Sequence, residues 1–69
     1  MNSESLSSLS DRELEIARLC KEGFISKEIA DQLGLSVRTV ENHKFKIFRK
    51  LGLRNVLELV RFMCENDKE

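Results

Sequence analysis

Arg38, Asn42, Phe45 and Lys46 recur at spacings of three and four residues, which places all of them on one face of a helix. Those residue types have the chemistry needed to read base-pair edges. An asparagine amide donates and accepts at once, as adenine requires. Arginine and lysine suit guanine or a phosphate, and the aromatic ring of Phe45 either suits the thymine methyl or is covered by its neighbours. Arg49 and Lys50 follow near the helix end, where phosphate contact or solvation would explain them equally well. Ser36 and Thr39 stand at the helix start, where hydroxyls and backbone N–H groups suit phosphate, and Ser36 also serves as a cap. His43 borders the outer and buried faces and fits a phosphate contact or a structural hydrogen bond. Lys27 opens the preceding helix as a phosphate clamp or a solvated cation. Glu41 is spaced for an i,i+3 pair with Arg38 or Lys44, cytosine being its other partner.

Other chemistries find little support. His43 is the only histidine and has no nucleophile or second acid beside it, so no catalytic constellation forms. Without a Cys-x-x-Cys pair no metal site is expected, and neither a cofactor nor a small-molecule ligand is called for. A chain of 69 residues cannot wall off a deep pocket and still fill a core. Cys20 and Cys64 fall in apolar helical patterns and read as buried, reduced thiols rather than a disulfide. No apolar run approaches the roughly 20 residues needed to span a bilayer, and no signal-peptide pattern precedes the domain. A cytoplasmic, nucleoid-associated location is therefore expected.

Charge is segregated. The chain carries twelve basic and twelve acidic residues, yet six basic residues against Glu41 alone lie between Arg38 and Arg54. That basic stretch is the footprint of a phosphate-binding face, while the rest of the chain balances it with acid.

The elements that must position these side chains are helical. With no proline and three glycines there is little to break helices, and β-branched residues never alternate. The expectation is an all-α, compact four-helix domain over residues 9–66, with helices at about 11–22, 26–33, 37–51 and 55–66. Residues 1–8 form a flexible lead-in or linker remnant and residues 67–69 a frayed tail. Leu9 begins the folded part, and Ser10 with Glu13 makes a capping box for the first helix. Phe24 and Ile25 should enter the core, and Ser26 should cap the second helix. Gly34 supplies a left-handed turn, Leu35 fills the space between helices and Ser36 caps the third helix. On the wheel of that helix Val37, Val40, Ile47, Phe48 and Leu51 share the buried face, opposite Arg38, Asn42, Phe45, Lys46 and Arg49. Asn55 with Glu58 caps the fourth helix. Its Val56, Leu59, Val60 and Met63 stripe, widened by Leu57, Phe62 and Cys64, offers more apolar surface than one short helix needs. A homodimer through Val56, Leu59, Val60 or Phe62 would use it.

A short helix, a tight turn at Gly34-Leu35-Ser36 and a longer helix with a basic outer face have the physics of a helix-turn-helix. Ala30 lets the pair approach closely, and the N-terminal half of the longer helix can enter a groove about 12 Å wide. Leu9-Ser10-Asp11-Arg12-Glu13, Lys27-Glu28-Ile29-Ala30, Leu33-Gly34-Leu35-Ser36, Thr39-Val40-Glu41-Asn42-His43 and Lys50-Leu51-Gly52-Leu53 follow in that order. Over Leu9 to Met63 the chain strongly resembles the LuxR-type (NarL/FixJ/GerE) helix-turn-helix domain of bacterial transcription regulators. The resemblance implies a four-helix domain that binds double-stranded DNA as a homodimer, its third helix reading bases and its fourth aiding dimerisation. It also implies that Ser36, Arg38, Thr39, Asn42, His43 and Lys46 fall where such domains touch DNA. Glu41 stands where a basic residue is common, Phe45 where a polar one is, and Val56 where arginine is. Two other readings are a sigma-factor region 4-like domain and a protein-interaction module contacting RNA polymerase or another regulator. The Lys50-Leu51-Gly52 ending and the capped fourth helix speak against the first.

Overall fold

Three helices begin where the side chain of Ser10, Ser36 or Asn55 accepts from a first-turn N–H, and two end on left-handed glycines, Gly34 and Gly52. The computed structural model describes residues 6–66, so the expectations for residues 1–5 and 67–69 lie outside it. Helix α1 spans Asp11–Lys21, α2 Ser26–Leu33, α3 Val37–Leu51 and α4 Val56–Asn66. Leu6–Ser8 form one turn of 3-10 helix, with Leu6 against the core, where a flexible lead-in was expected.

The Ser10 capping box is present in full. Glu13 N–H donates to Ser10 Oγ at 3.1 Å, and Ser10 N–H donates to Glu13 Oε1 at 2.9 Å. Ser36 Oγ likewise accepts from Thr39 N–H at 3.0 Å. Ser26 departs from expectation. Ile25 is the cap residue of α2, its N–H donating to Glu28 Oε1 at 2.9 Å, and Ser26 is the first helical residue. The hydroxyl is turned inward because α3 offers it charged partners that the helix end cannot match. At α4, Asn55 Oδ1 accepts from Glu58 N–H at 3.0 Å, and Glu58 Oε1 reaches Arg54 N–H at 2.8 Å.

Gly34 and Gly52 end α2 and α3 in left-handed conformations, at φ 69° and 71°. The residues that follow them, Leu35 and Leu53, donate back to Ala30 O and Phe48 O and fold down onto the core. This is how the tight turn between α2 and α3 is made. Ala30 O and Phe48 O are each paired in this way, and a leucine is delivered inward at each corner.

Helix α1 packs on α4 and α3, and α2 packs on α3. Ile16, Ile29, Val40, Ile47, Leu59 and Met63 are fully buried at the centre, with Ala30 nearly so where α2 meets α3. Cys20 is buried as well. Burial pushes its thiol above the ordinary value, Glu41 adds to the rise and Lys44 opposes it, so Cys20 packs as an apolar group. Three residues expected inside lie outside. Ile25 is 61% and Val37 45% exposed, and Cys64 is an exposed free thiol. Ile25 and Val37 sit at helix entrances, one residue before α2 and first in α3, where no neighbouring turn covers them. Among the described residues no helix is long and apolar enough to cross a membrane.

Two polar ties set the rotation of α3 about its own axis. Lys50 Nζ donates to Glu13 Oε1 at 2.7 Å and to Ser8 O at 3.3 Å, joining the end of α3 to the start of α1. In the middle of α3, Lys44 Nζ donates to Ser26 Oγ at 2.8 Å, and Ser26 Oγ donates to Glu41 Oε2. With these two sides held against α1 and α2, the opposite side of α3 can only face outward.

Candidate nucleic-acid interface

Arg38, Asn42, Phe45, Lys46 and Arg49 are all exposed, as the wheel required. The face they make is narrower in charge than the sequence implies. Of the six basic residues between Arg38 and Arg54, two are tied across helices. Lys44 is held by Ser26 and lies 3.9 Å from Glu41, and Lys50 is held by Glu13, whereas Arg54 stays 87% exposed beyond the end of α3, 3.9 Å from Glu58. Arg38, Lys46 and Arg49 remain outward. The Arg49 guanidinium stands over the Phe45 ring, 5.8 Å from its centroid, in a cation–π contact one helical turn long.

Lys50, expected from sequence among the phosphate contacts, is found paired with Glu13. Its ammonium is directed at Glu13, whose side chain is only 6% exposed. Burial raises the Glu13 carboxyl, but the Lys50 ammonium and the Ser10 N–H and hydroxyl outweigh it and hold the group below its ordinary value. Glu41 pairs with Lys44, as its i,i+3 spacing allowed, and also takes the Ser26 hydroxyl.

The remaining expected residues are spread around the same end of the helix. Ser36 is exposed and occupied as a cap, and its hydroxyl donates to Thr39 Oγ1 at 2.9 Å. Thr39 is half-buried, and Lys27 stands exposed as the second residue of α2. His43 is half-buried with Nδ1 turned inward and without a hydrogen-bond partner. Only its Nε2 is left to meet anything outside.

On α4 the expected dimer residues separate into two groups. Val56 is 42% exposed and Val60 half-buried, whereas Leu59 is completely buried and Phe62 rests partly buried against the core. Leu59 lies within the core and has no surface to share. Leu57, 65% exposed, is the apolar residue the stripe should have emphasised instead. It lies two residues before Leu59, about 200° around the helix, so the wheel already placed it on the far side. Ile25 was missed as an exposed residue because its place in a loop gave it no wheel position. Together with Cys20, Phe24, Val56 and Val60 it lines an open groove of about 460 Å³ between α4 and the start of α2.

A small bracing helix, a glycine corner and a longer helix whose outer face carries cations, an amide and a ring make a helix-turn-helix. The family model for bacterial regulatory proteins of the luxR family matches residues 7–63. The chain belongs to that family. It is a LuxR-type helix-turn-helix DNA-binding domain. The chain is 48% identical over 59 residues to the Fimbriae Z protein of Escherichia coli strain K12, covering 86% of this chain and 28% of that one. It is 54% identical over 54 residues to the oxygen regulatory protein NreC of Staphylococcus aureus strain JH9, covering 78% and 25%. A solved structure of the Salmonella typhimurium response regulator RcsB, described in terms of conformational dynamism for DNA interaction, superposes with a TM-score of 0.80. Identity there is 37% over 83% of this chain and 28% of that chain. The domain thus spans about a quarter of the length of the relatives it matches.

Proposed function

We propose that α3 lies in the major groove and that Arg38, Asn42, Phe45 and Lys46 read base edges there, as the output domain of a response regulator. The observation that carries this reading is the division of charge on α3. Cations on its inner sides are tied to Glu13, Ser26 and Glu41, while Arg38, Lys46 and Arg49 stay outward around Asn42 and Phe45. Lys27, Ser36, Thr39, His43 and Arg49 then contact phosphates. Two copies pair through Val56, Leu57 and Val60, with Phe62 at the rim, and set two α3 helices on an inverted repeat. The domain works by binding and catalyses nothing. It acts on bacterial cytoplasmic, nucleoid DNA, and RNA polymerase is the protein partner such a regulator would recruit.

In-vitro selection from random DNA, followed by titration at low and moderate salt, tests the reading. Affinity should fall steeply with salt as phosphate counterions are released. Asn42→Ala should lose about 1–3 kcal/mol at one base position and relax selectivity there. Unchanged binding of the selected site by both Asn42→Ala and Arg38→Ala would reject the assigned face. No complex at low salt would favour a protein-interaction module.

A further inference from the structure

We infer that Phe45 reads the 5-methyl group of a thymine, with Arg49 held on its ring as a pre-positioned phosphate clamp. The inference rests on α3 being the helix that enters the groove, and it specifies what one position of the site must contain.

Phe45 is 61% exposed in the middle of the polar, cationic face and, among the described residues, is not one of the apolar side chains packed against the core. Its helical neighbours toward solvent are Glu41 and Asn42 one turn before and Arg49 one turn after. A ring in that place adds nothing to the core, and its exposed surface is open to an apolar partner from outside. The floor of the major groove offers amino groups, carbonyls and ring nitrogens at every pair, and its one methyl group is that of thymine. A ring set against a donor or acceptor would strip it of water without replacing the hydrogen bond. Set against a methyl, it buries apolar surface on both sides.

Arg49 narrows the geometry. Its guanidinium lies over one face of the ring, 5.8 Å from the centroid, and leaves Phe45 61% exposed for DNA to meet. The contact also restrains a long side chain before binding, so less rotamer freedom is lost when the guanidinium grips a phosphate. The two residues then differ in what they sense. Phe45 distinguishes a methyl group, and Arg49 responds to any phosphate.

The test uses the selected DNA site with each thymine replaced in turn by deoxyuridine, which removes the methyl and nothing else. At one position in each half-site the wild-type domain should bind the uracil analogue about four-fold more weakly, the factor for one buried methyl. Phe45→Ala should bind the two analogues equally there, and Phe45→Leu should keep part of the difference. Circular dichroism of both variants should be unchanged, since the ring lies outside the core. Arg49→Gln should weaken thymine and uracil sites by the same factor and reduce the salt dependence. Indifference of the wild type to every uracil, or a Phe45→Ala variant that keeps the preference, overturns the inference alone. Failure of the domain to bind any DNA overturns it together with the assignment of α3.

Discussion

Lys50 Nζ and Glu13 Oε1 lie 2.7 Å apart and join the last turn of α3 to the first turn of α1. Glu13 is the capping-box residue of α1, so one carboxylate both starts that helix and anchors the recognition helix. A lysine that reads as part of a DNA-binding run is thereby a structural residue. Arg49, its neighbour in sequence, faces the other way.

Lys50→Gln and Arg49→Gln should therefore fail in different assays. Lys50→Gln should lower stability by about 1 kcal/mol in urea unfolding, because it leaves Glu13 buried without its cation. Solvent reaches the lysine, whose side chain is 39% exposed, which keeps the loss at the low end. Its DNA affinity per folded molecule should stay at the wild-type level. Arg49→Gln should unfold like the wild type and bind every DNA sequence more weakly.

The same pair sets a pH dependence. The Glu13 carboxyl is held below its ordinary value in the folded state, so the unfolded chain takes up this proton at higher pH than the folded one. The contribution is fully present above the ordinary glutamate range and is lost as pH falls through the depressed folded value. Denaturation of wild type and Glu13→Gln, compared from neutral pH downward, should show a stability gap that closes in acid. A gap that widened in acid would contradict the assignment.

Glu41 is expected to matter for folding and not for base choice. Its Oε2 is taken by Ser26 and lies near Lys44, on the side of α3 that faces α2. Ser26→Ala should cost about 1–2 kcal/mol, since it strips a mostly buried ammonium of its nearest partner. Glu41→Ala should also destabilise, by up to about 1 kcal/mol, and leave the selected DNA sequence unchanged. A new preference at a cytosine position in Glu41→Ala would show instead that its carboxylate reaches the groove.

On α4, Leu57 and Leu59 should behave as opposites. Leu59→Ala opens a cavity in a fully buried position and should cost about 2–5 kcal/mol. Leu57→Asp, at an exposed position, should leave the unfolding midpoint near wild type. If two copies pair through this surface, the same substitution should weaken assembly on palindromic DNA in analytical ultracentrifugation. A Leu57→Asp domain that assembles on such DNA as the wild type does would move the interface elsewhere.

Much of the fold was legible because its determinants are local. Ser10 with Glu13, Ser36 before Val37, and Gly34 and Gly52 after the last helical turns act within four residues of themselves, and all four function as read. The outward set Arg38, Asn42, Phe45, Lys46 and Arg49 follows from helical period alone once α3 exists. The family resemblance rested on the motif residues themselves, from Leu9-Ser10-Asp11-Arg12-Glu13 to Lys50-Leu51-Gly52-Leu53.

What the chain could not reveal by itself is which polar groups find each other across helices. Ser26 and Lys44 are eighteen residues apart and Glu13 and Lys50 thirty-seven, and no spacing rule links them. A serine before a helical run looks like a cap until another helix offers it a carboxylate and an ammonium. A lysine in a basic run looks like a DNA contact until a buried carboxylate claims it. Leu59 and Leu57 likewise differ only in which side of α4 meets α1. Local sequence therefore determined the helices, their ends and the face of α3 that points away from the core. Tertiary packing decided which of its charges are free to meet DNA, because a charge near a buried partner of opposite sign is held there.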